Sequence, residues 1–218
     1  AEDWVTSAEI ILNNSNGSDL YYLTAMFLKG GWEYYCYTLM QKLIQSGSKY
    51  PSTGYKDPAT RNSYSVDNPA PDKNAMFNYK TLRNATEDQL AAQLTNLIAY
   101  EGNMTEAEAR VVGSEMQDIR DFKRVGVKAE GNKLTYTLAD GMAFFPTALT
   151  YCAFLPVNKA FYAQHKSNKF GTSKETMLYN GPYLLSKWEG SEIEYVKNNN
   201  YFDADETHIE KITYKVLE

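Results

Sequence analysis

The chain has 218 residues, of which 43% are hydrophobic and 22% are charged, with a formal net charge of −5. The hydrophobic fraction excludes a disordered chain, and the acidic balance argues against a nucleic-acid binder, which needs clustered Lys and Arg. No apolar window long enough to span a membrane occurs. Of the aromatic residues, 18 are Tyr, a side chain that suits a binding surface as well as a core.

The N-terminal part of the chain predicts three helices in succession. Residues 1–13 carry an apolar stripe at helical spacing, which a polar Asn-rich segment ends. Ser18 and Asp19 offer an N-cap for a second helix that is predicted to run through Leu28. A pair of glycines separates it from a third helix, rich in aromatic residues, over 32–44.

The middle of the chain predicts a long loop followed by two helices. Residues 47–73 contain Gly, Pro, Ser, Asn and Asp with almost no aliphatic side chain, which is typical of a long loop. The tetrapeptides that begin at Thr86 and Thr105 both have the form of a capping box. The second helix is predicted to run to about Phe122 and to form an antiparallel pair with the first. The first helix carries four aliphatic residues at helical spacing: Leu90, Leu94, Leu97 and Ile98.

Beyond Lys123 the hydrophobic period changes to two, which indicates strands. Residues 125–129 and 134–138 flank a Gly-Asn pair and predict a β-hairpin. Since helices lead and strands follow, the predicted fold class is α+β. The remaining predicted elements are two short helices, a second hairpin and a closing strand, at 143–152, 158–166, 183–188 with 192–197, and 209–217.

The sequence contains no pattern typical of an enzyme. It lacks a nucleophile elbow, a phosphate-binding loop and a His-Glu-x-x-His zinc motif, so we predict no enzyme activity, metal or cofactor. His165 and His208 are far apart among polar residues. The carboxylates of Asp203, Asp205 and Glu206 lack the glycine of a calcium-binding loop, which favours a solvated connection. A hydrolase of peptides or sugars is therefore the least favoured interpretation.

The two cysteines, Cys36 and Cys152, each lie in an apolar, aromatic stretch and are more than a hundred residues apart. This spacing matches neither a zinc site nor a Cys-x-x-Cys redox motif. We expect two buried free thiols, with a disulfide between them as the alternative.

An ordered series of segments in the last third of the chain resembles a known family. It comprises Phe-Leu-Pro-Val-Asn at 154–158, Tyr-Asn-Gly-Pro-Tyr-Leu-Leu at 179–185, Ile-Glu-Tyr-Val-Lys-Asn at 193–198, Tyr-Phe-Asp at 201–203 and Ile-Glu-Lys-Ile at 209–212. This series resembles the bacterial extracellular solute-binding proteins of family 5, the peptide-binding components of ABC importers. The resemblance covers 122–218 and extends to 1–40, but it fails over about 44–118.

The resemblance implies part of a two-lobed, periplasmic-binding-protein type II-like fold. Residues 1–43 would belong to the smaller subdomain, 44–121 would be a loop and helical insertion, and 122–218 would form an α+β part of the first lobe. Members of the family are far longer, and the chain begins without Met. We therefore expect a processed or excised piece of a longer protein.

The resemblance also implies a function. The protein would capture oligopeptides for ABC-transporter import at the outer face of the bacterial cytoplasmic membrane, held by a lipid anchor outside this chain. Its expected partners are an oligopeptide and the permease subunits, with no nucleic acid and no cofactor, and the expected oligomeric state is a monomer. The alternative is an extracellular protein- or glycan-interaction domain built on the 44–118 insertion.

Four residues are the candidate ligand contacts of such a protein. Tyr21 and Tyr22 open a helix just after a polar loop, and the resemblance places this region near the cleft. Asn180 and Tyr183 flank a Gly-Pro turn, which could present an amide and a ring to a ligand. The alternative is that these four residues have structural roles: Tyr21 and Tyr22 would be packing residues, and Asn180 and Tyr183 would belong to a turn that orients two strands.

Overall fold

The computed structural model describes residues 1–47, 55–56, 63–64, 79–166 and 169–215. They divide into two compact units, Ala1–Val157 and Asn158–Glu218. Over these described ranges, no helix has both the length and the hydrophobicity of a membrane span. Most of the predicted 47–73 loop lies outside the described residues. Within it, the short strands β1 (Tyr55–Lys56) and β2 (Ser63–Tyr64) pair antiparallel.

The first unit is mainly helical. Helices lie where the sequence predicts them near 1–13, 32–44 and after Thr86, and the mixture of helices and small antiparallel sheets confirms the α+β class. Helical bounds in this unit are α1 Glu2–Leu12, α2 Tyr21–Phe27, α3 Gly31–Ser46, α4 Glu87–Glu101, α5 Glu106–Ala109, α6 Met116–Ile119 and α7 Phe145–Ala148, with 3-10 turns at Asn14–Asn16, Tyr79–Asn84, Gly113–Glu115, Phe122–Arg124 and Cys152–Phe154.

The predicted cap of the second helix is wrong. Helix α2 begins at Tyr21, and its N-cap residue is Leu20, which provides no side-chain hydrogen bond. The Ser18 hydroxyl instead accepts a hydrogen bond of 3.3 Å from the Leu20 backbone N–H. The side chain therefore stabilises a turn before the helix, a local alternative that serine readily adopts.

Both predicted capping boxes are confirmed. The Thr86 hydroxyl accepts from the Gln89 N–H at 3.3 Å, and the Gln89 side chain accepts from the Thr86 N–H at 2.9 Å. Thr105 and Glu108 make the same pair of bonds at 3.3 and 2.8 Å. These reciprocal bonds satisfy backbone donors that the helix itself leaves without partners.

The prediction that the second of these helices continues to Phe122 is wrong. Helix α5 ends at Ala109, and Arg110 adopts φ −53°, ψ 123°. The Val111 N–H then donates to the Thr95 hydroxyl at 2.9 Å instead of to a helical carbonyl. Further on, Gly113 lies so close to Asp88 that a Cβ on Gly113 would be 2.0 Å from the Asp88 carboxylate oxygen. Contacts with α4 therefore take the place of the hydrogen bonds that would continue helix α5 beyond Ala109.

The predicted hairpin of the first unit is confirmed. Strands β3 (Val127–Glu130) and β4 (Lys133–Tyr136) pair antiparallel, and Gly131 supplies the left-handed turn with φ 58°. The connector between α2 and α3 lies beside this hairpin. The Lys29 N–H donates to the Thr137 carbonyl at 3.0 Å, and the Lys29 carbonyl accepts from the Gly126 N–H at 2.8 Å. These bonds tie the hairpin to the helical layer.

One continuous hydrophobic core joins the helices and the hairpin of the first unit. Helix α4 contributes Leu94, Leu97 and Ile98 to this core, although the resemblance assigns 44–121 to an insertion. The division of the chain into family subdomains stays a prediction. The largest fully buried apolar side chains are Leu12, Leu28, Cys36, Met40, Leu94, Ile98, Met116 and Val125.

The two cysteines differ in their surroundings. Both are free thiols, but only Cys36 is buried, and its burial raises the pKa of the thiol. The expectation of a buried Cys152 is wrong. The predicted apolar helix over 143–152 ends at Ala148, and Cys152 starts a 3-10 turn that buries Ala153 and Phe154 instead.

In the second unit, the predicted helix and strands are confirmed within the described residues. Helix α8 (Lys159–His165) is capped by Asn158, whose side-chain oxygen accepts from the Phe161 N–H at 2.9 Å. The strand bounds are β5 Tyr183–Glu189, β6 Glu192–Lys197 and β7 Lys211–Lys215, with further 3-10 turns at Lys174–Thr176 and Ala204–Glu206. These antiparallel strands lie in the order β5-β6-β7.

The two faces of this sheet have different chemistry. Cross-strand partners on one face are apolar or aromatic, such as Trp188, Ile193 and Tyr214. On the other face, Glu194 forms an ion pair with Lys211 and accepts a hydrogen bond from the Ser186 hydroxyl. The alternation along β6 produces this separation because successive side chains point to opposite faces, whereas β5 has a register shift between Leu185 and Lys187.

Alkaline pH is expected to destabilise the first unit through Tyr34 and Tyr136. Burial raises the pKa of each phenol to about 12, above the usual 10.0. The folded state thus retains protons that the unfolded state loses, so the free energy of unfolding falls as pH rises from about 10 to about 12. Chemical denaturation at increasing pH measures this fall. In Tyr34→Phe, the fall in unfolding free energy is expected to be smaller than in the wild type. An equal fall in both proteins would contradict the assignment of this pH dependence to Tyr34. Tyr151→Phe, at an exposed tyrosine, is the control.

Candidate functional site

The structure places the four predicted contact residues in different units. Tyr21 and Tyr22 begin helix α2 of the first unit, whereas Asn180 and Tyr183 belong to the second. Each pair therefore has its own local geometry.

Tyr21 is the most firmly held of the four. Its ring stacks on the ring of Tyr35 with centroids 3.9 Å apart, and its hydroxyl donates to the Glu101 carboxylate at 3.1 Å. The Tyr35 hydroxyl in turn accepts from the Asn14 side-chain amide at 2.9 Å. Burial is the main cause that raises the pKa of both phenols, so both stay neutral hydrogen-bonding groups. Tyr21 is thus a packing residue that positions its neighbours.

Tyr22 is presented differently. Its side chain is 48% exposed, and its ring touches Tyr21 edge-on with centroids 6.2 Å apart. Met26, one turn later on the same helix, is also exposed. We call Tyr21, Tyr22, Trp32 and Tyr35 the tyrosine cluster; within it, Tyr22 has the ring most open to a ligand. An aromatic ring held against a fixed neighbour loses little freedom on binding, which favours affinity.

The turn that holds Asn180 and Tyr183 is fixed by Asn198. This asparagine is buried, its side-chain amide donates to the Gly181 carbonyl at 2.9 Å, and its backbone N–H donates to the Pro182 carbonyl at 2.8 Å. Tyr183 starts strand β5 opposite Lys197. The side chain of Asn180 remains exposed, so the turn can offer its amide to a peptide backbone.

Two residues that position this chemistry were missed from the sequence. Glu101 accepts from Tyr21 across 80 positions of sequence, and no local pattern reports such a pair. Asn198 had a weak signal, because an asparagine directly after a predicted strand is typical of a residue that binds turn backbone. Its partner was not predictable from that signal.

The other groups considered from the sequence do not form a reactive constellation. Among the residues that the structure describes, no three His, Cys, Asp or Glu side chains are grouped to hold a metal ion. The His165 ring packs against Phe161 with centroids 4.4 Å apart. Asp205 and Glu206 are exposed in a 3-10 turn.

The chain is similar in sequence to one family of known proteins. The family model for bacterial extracellular solute-binding proteins, family 5 Middle, matches residues 1–218. The oligopeptide-binding protein AliA of Streptococcus pneumoniae is 38% identical over 99 residues, covering 44% of this chain and 15% of that protein. The oligopeptide-binding protein SarA of Streptococcus gordonii is 41% identical over 101 residues, with the same coverage of 44% and 15%. The chain thus spans 15% of the length of these relatives.

A solved structure supports the fold. The substrate-binding domain of an oligopeptide ABC transporter from Bacillus anthracis superposes on 100% of this chain and 26% of its own length, with a TM-score of 0.53 at 15% identity. At this level of identity the similarity concerns the fold alone.

Proposed function

Because this chain belongs to the bacterial extracellular solute-binding proteins of family 5, we propose that it takes part in capturing oligopeptides for import by an ABC transporter. The observation that carries the proposal is the family match over residues 1–218. Two relatives named oligopeptide-binding proteins support the choice of ligand. Since the chain spans 15% of their length, the proposal concerns the part that this chain plays in peptide binding by a larger protein.

The proposed mechanism is capture between two lobes, hinge closure and delivery to a membrane permease. A protein that accepts many peptides must hold the ligand mainly by its backbone and leave the side chains in hydrated pockets. The exposed Tyr22 ring and the exposed Asn180 amide are the proposed contacts. Tyr21 and Tyr183 are proposed to complete the contact set, Tyr21 mainly by supporting Tyr22.

The proposal includes the setting of the protein. It acts outside the cytoplasmic membrane as a monomer, is held there by a lipid anchor outside this chain, and passes its peptide to the permease subunits. It needs neither a cofactor nor nucleic acid, and it performs no enzymatic step. The net charge of −5 agrees with the absence of a nucleic-acid partner.

A separate interaction domain over 44–118 has no comparable support. The family model matches this segment together with the rest of the chain, although the resemblance in the sequence failed there. Helix α4 of this segment also packs into the core of the first unit. A protein- or glycan-binding role is therefore not proposed.

The proposal is tested by calorimetric titration of a mixed oligopeptide library, on this 218-residue chain and on the full-length protein in parallel. We expect saturable binding by the full-length protein. Binding by the chain alone as well would place the main contacts within it. If the folded full-length protein bound no peptide, the proposal would be overturned.

Substitution of the proposed contacts is expected to weaken peptide binding. Tyr22→Ala or Asn180→Ala should each raise Kd about fivefold, because each removes one aromatic contact or one hydrogen bond worth about 1 kcal/mol. Calorimetry on the full-length protein measures the change. Tyr151→Ala, at a tyrosine that is 57% exposed outside the proposed contacts, is the matched control. Equal affinities in all three variants would contradict the assignment of these contacts.

A further inference from the structure

An open groove of about 350 Å³ lies beside strand β5 in the second unit. Residues 172–175 form one wall of this groove, and residues 186–190 form the other. Strand β5 is an edge strand, because the strands of its sheet lie in the order β5-β6-β7. The lining includes none of the four candidate peptide contacts, and the groove lies outside the 44–118 segment. It is therefore a separate feature of the second unit.

Trp188 gives the groove a large aromatic surface. Its side chain is 51% exposed, so the ring is accessible to a ligand. The face of an aromatic ring carries partial negative charge, which attracts the C–H groups of a ligand that lies flat on it. The other lining residues are threonine, serine, lysine, glutamate and glycine, so one aromatic face stands among hydrogen-bonding groups.

The charges that line the groove are already paired. The Lys174 ammonium lies 4.0 Å from the Glu175 carboxylate, and the Lys187 ammonium lies 3.7 Å from the Glu189 carboxylate. Lys187 also donates a hydrogen bond of 3.2 Å to Glu192. Each wall thus holds one cation next to one carboxylate, and the lining carries no excess of either charge. An uncharged ligand is favoured, because an ion would have to compete with an existing partner.

These paired groups still have hydrogen-bonding capacity for a ligand. An ammonium group has three N–H donors, and the two oxygens of a carboxylate accept about four hydrogen bonds. Lys174 uses one donor on the Ser186 carbonyl at 3.4 Å. A hydroxyl group both donates and accepts, so it can bond to the cation and the carboxylate of one pair at the same time. A ligand with several hydroxyls on a rigid ring matches this arrangement.

The same contacts argue against an added peptide strand at this edge. A peptide that extends a sheet needs the unpaired backbone N–H and C=O groups of the edge strand. The Ser186 carbonyl already accepts from Lys174, which reaches it from the opposite wall. The register shift between Leu185 and Lys187 also interrupts the regular spacing of backbone groups along β5. The groove therefore suits a compact ligand better than an extended one.

We propose that this groove binds a neutral saccharide, with one pyranose ring stacked on Trp188. The C–H face of the sugar lies on the indole ring, and the sugar hydroxyls bond to the two lysine–glutamate pairs. The volume of about 350 Å³ is near the lower end of the roughly 300–1,000 Å³ of small-molecule pockets, which suits one or two sugar rings. The inference goes beyond oligopeptide capture and does not depend on it, because both the ligand class and the site differ.

The test is a saturation-transfer NMR titration of the full-length protein with cellobiose, with maltose and with sorbitol. Sorbitol has vicinal hydroxyls but no ring, so it lacks the flat C–H face. We expect saturable, millimolar binding of at least one disaccharide, with the strongest transfer to the C–H protons of one ring, and no saturation by sorbitol. The same titration in the presence of the oligopeptide library should give the same Kd.

Variants locate the sugar in the groove. Trp188→Ala should weaken disaccharide binding at least about tenfold, whereas Trp188→Phe, which keeps a smaller flat ring, should lose less. Phe202→Ala, at an aromatic residue of the same unit that is 90% exposed outside the groove, is the matched control. Lys174→Met should weaken binding about fivefold by removing a hydrogen-bond donor, and Lys166→Met, at an exposed lysine outside the groove, is its control. Circular dichroism checks that each variant is folded.

Four results would overturn the inference. The first three are no saturation by either disaccharide at millimolar concentration, equal binding of sorbitol, and equal disaccharide affinity in Trp188→Ala and the wild type. The fourth is displacement of the disaccharide by the oligopeptide library, which would place the sugar at the peptide site. None of them contradicts the oligopeptide proposal, which is decided by binding of the library itself. A full-length protein that binds a disaccharide but no library peptide would overturn only the oligopeptide proposal.

Discussion

Replacing Gly126 by alanine is expected to lower the free energy of unfolding of the first unit by at least about 3 kcal/mol, the upper end of the usual cost of overpacking. Gly126 lies between two segments: its N–H donates to Lys29 at 2.8 Å, and its carbonyl accepts from Thr137 at 2.7 Å. A Cβ at this position would be 2.1 Å from the Thr137 carbonyl oxygen. Because that oxygen belongs to hydrogen-bonded backbone, it cannot move aside as a flexible side chain could.

Denaturant unfolding followed by circular dichroism measures this loss. Gly141→Ala is the matched control, since a Cβ there meets open space. The two variants should differ by most of the predicted cost, and similar unfolding midpoints would contradict the close approach at Gly126.

Leu94→Ala is expected to cost about 2–5 kcal/mol of unfolding free energy, the range for removing a large aliphatic side chain from a core. The Leu94 side chain is 0% exposed on the face of α4 that packs in the common core with α3. Leu90→Ala, on the same helix but only half-buried, is the control and should cost clearly less. Denaturant unfolding of both variants decides the comparison.

The effect of Leu94→Ala also tests whether the segment over 44–121 is a separate insertion or part of the core of the first unit. If α4 belongs to a detachable insertion, Leu94→Ala should leave the main unfolding transition of the first unit unchanged. If α4 is integral to the core, the whole transition should shift, as the shared core indicates. A main transition that did not move would restore the insertion as a separate module.

Elements whose signals are local were predictable from the sequence. The capping boxes at Thr86 and Thr105 need only residues three positions apart, and both formed as predicted. The hairpin at Gly131 and the alternation of β6 also depend on neighbours along the chain. In each case, the backbone groups find their partners within a few residues, so the sequence pattern is sufficient.

Predictions failed where a distant partner competes with a local one. The helix after Thr105 ends because Thr95 accepts from the Val111 N–H, and Thr95 lies on another helix. The predicted apolar helix over 143–152 likewise forms only over Phe145–Ala148, and Cys152 is exposed. Helical propensity contributes only tenths of a kcal/mol per residue, so one tertiary contact can outweigh it.

The candidate contacts show the same division. The family and the α+β class were predictable from the sequence, and so was the choice of Tyr21, Tyr22, Asn180 and Tyr183 as candidates, because ordered motifs and turn residues are properties of the chain alone. The stacking of Tyr21 on Tyr35 and its hydrogen bond to Glu101 became visible in the folded structure alone. Burial, stacking and charge pairing depend on distances between residues far apart in sequence, and folding alone fixes those distances.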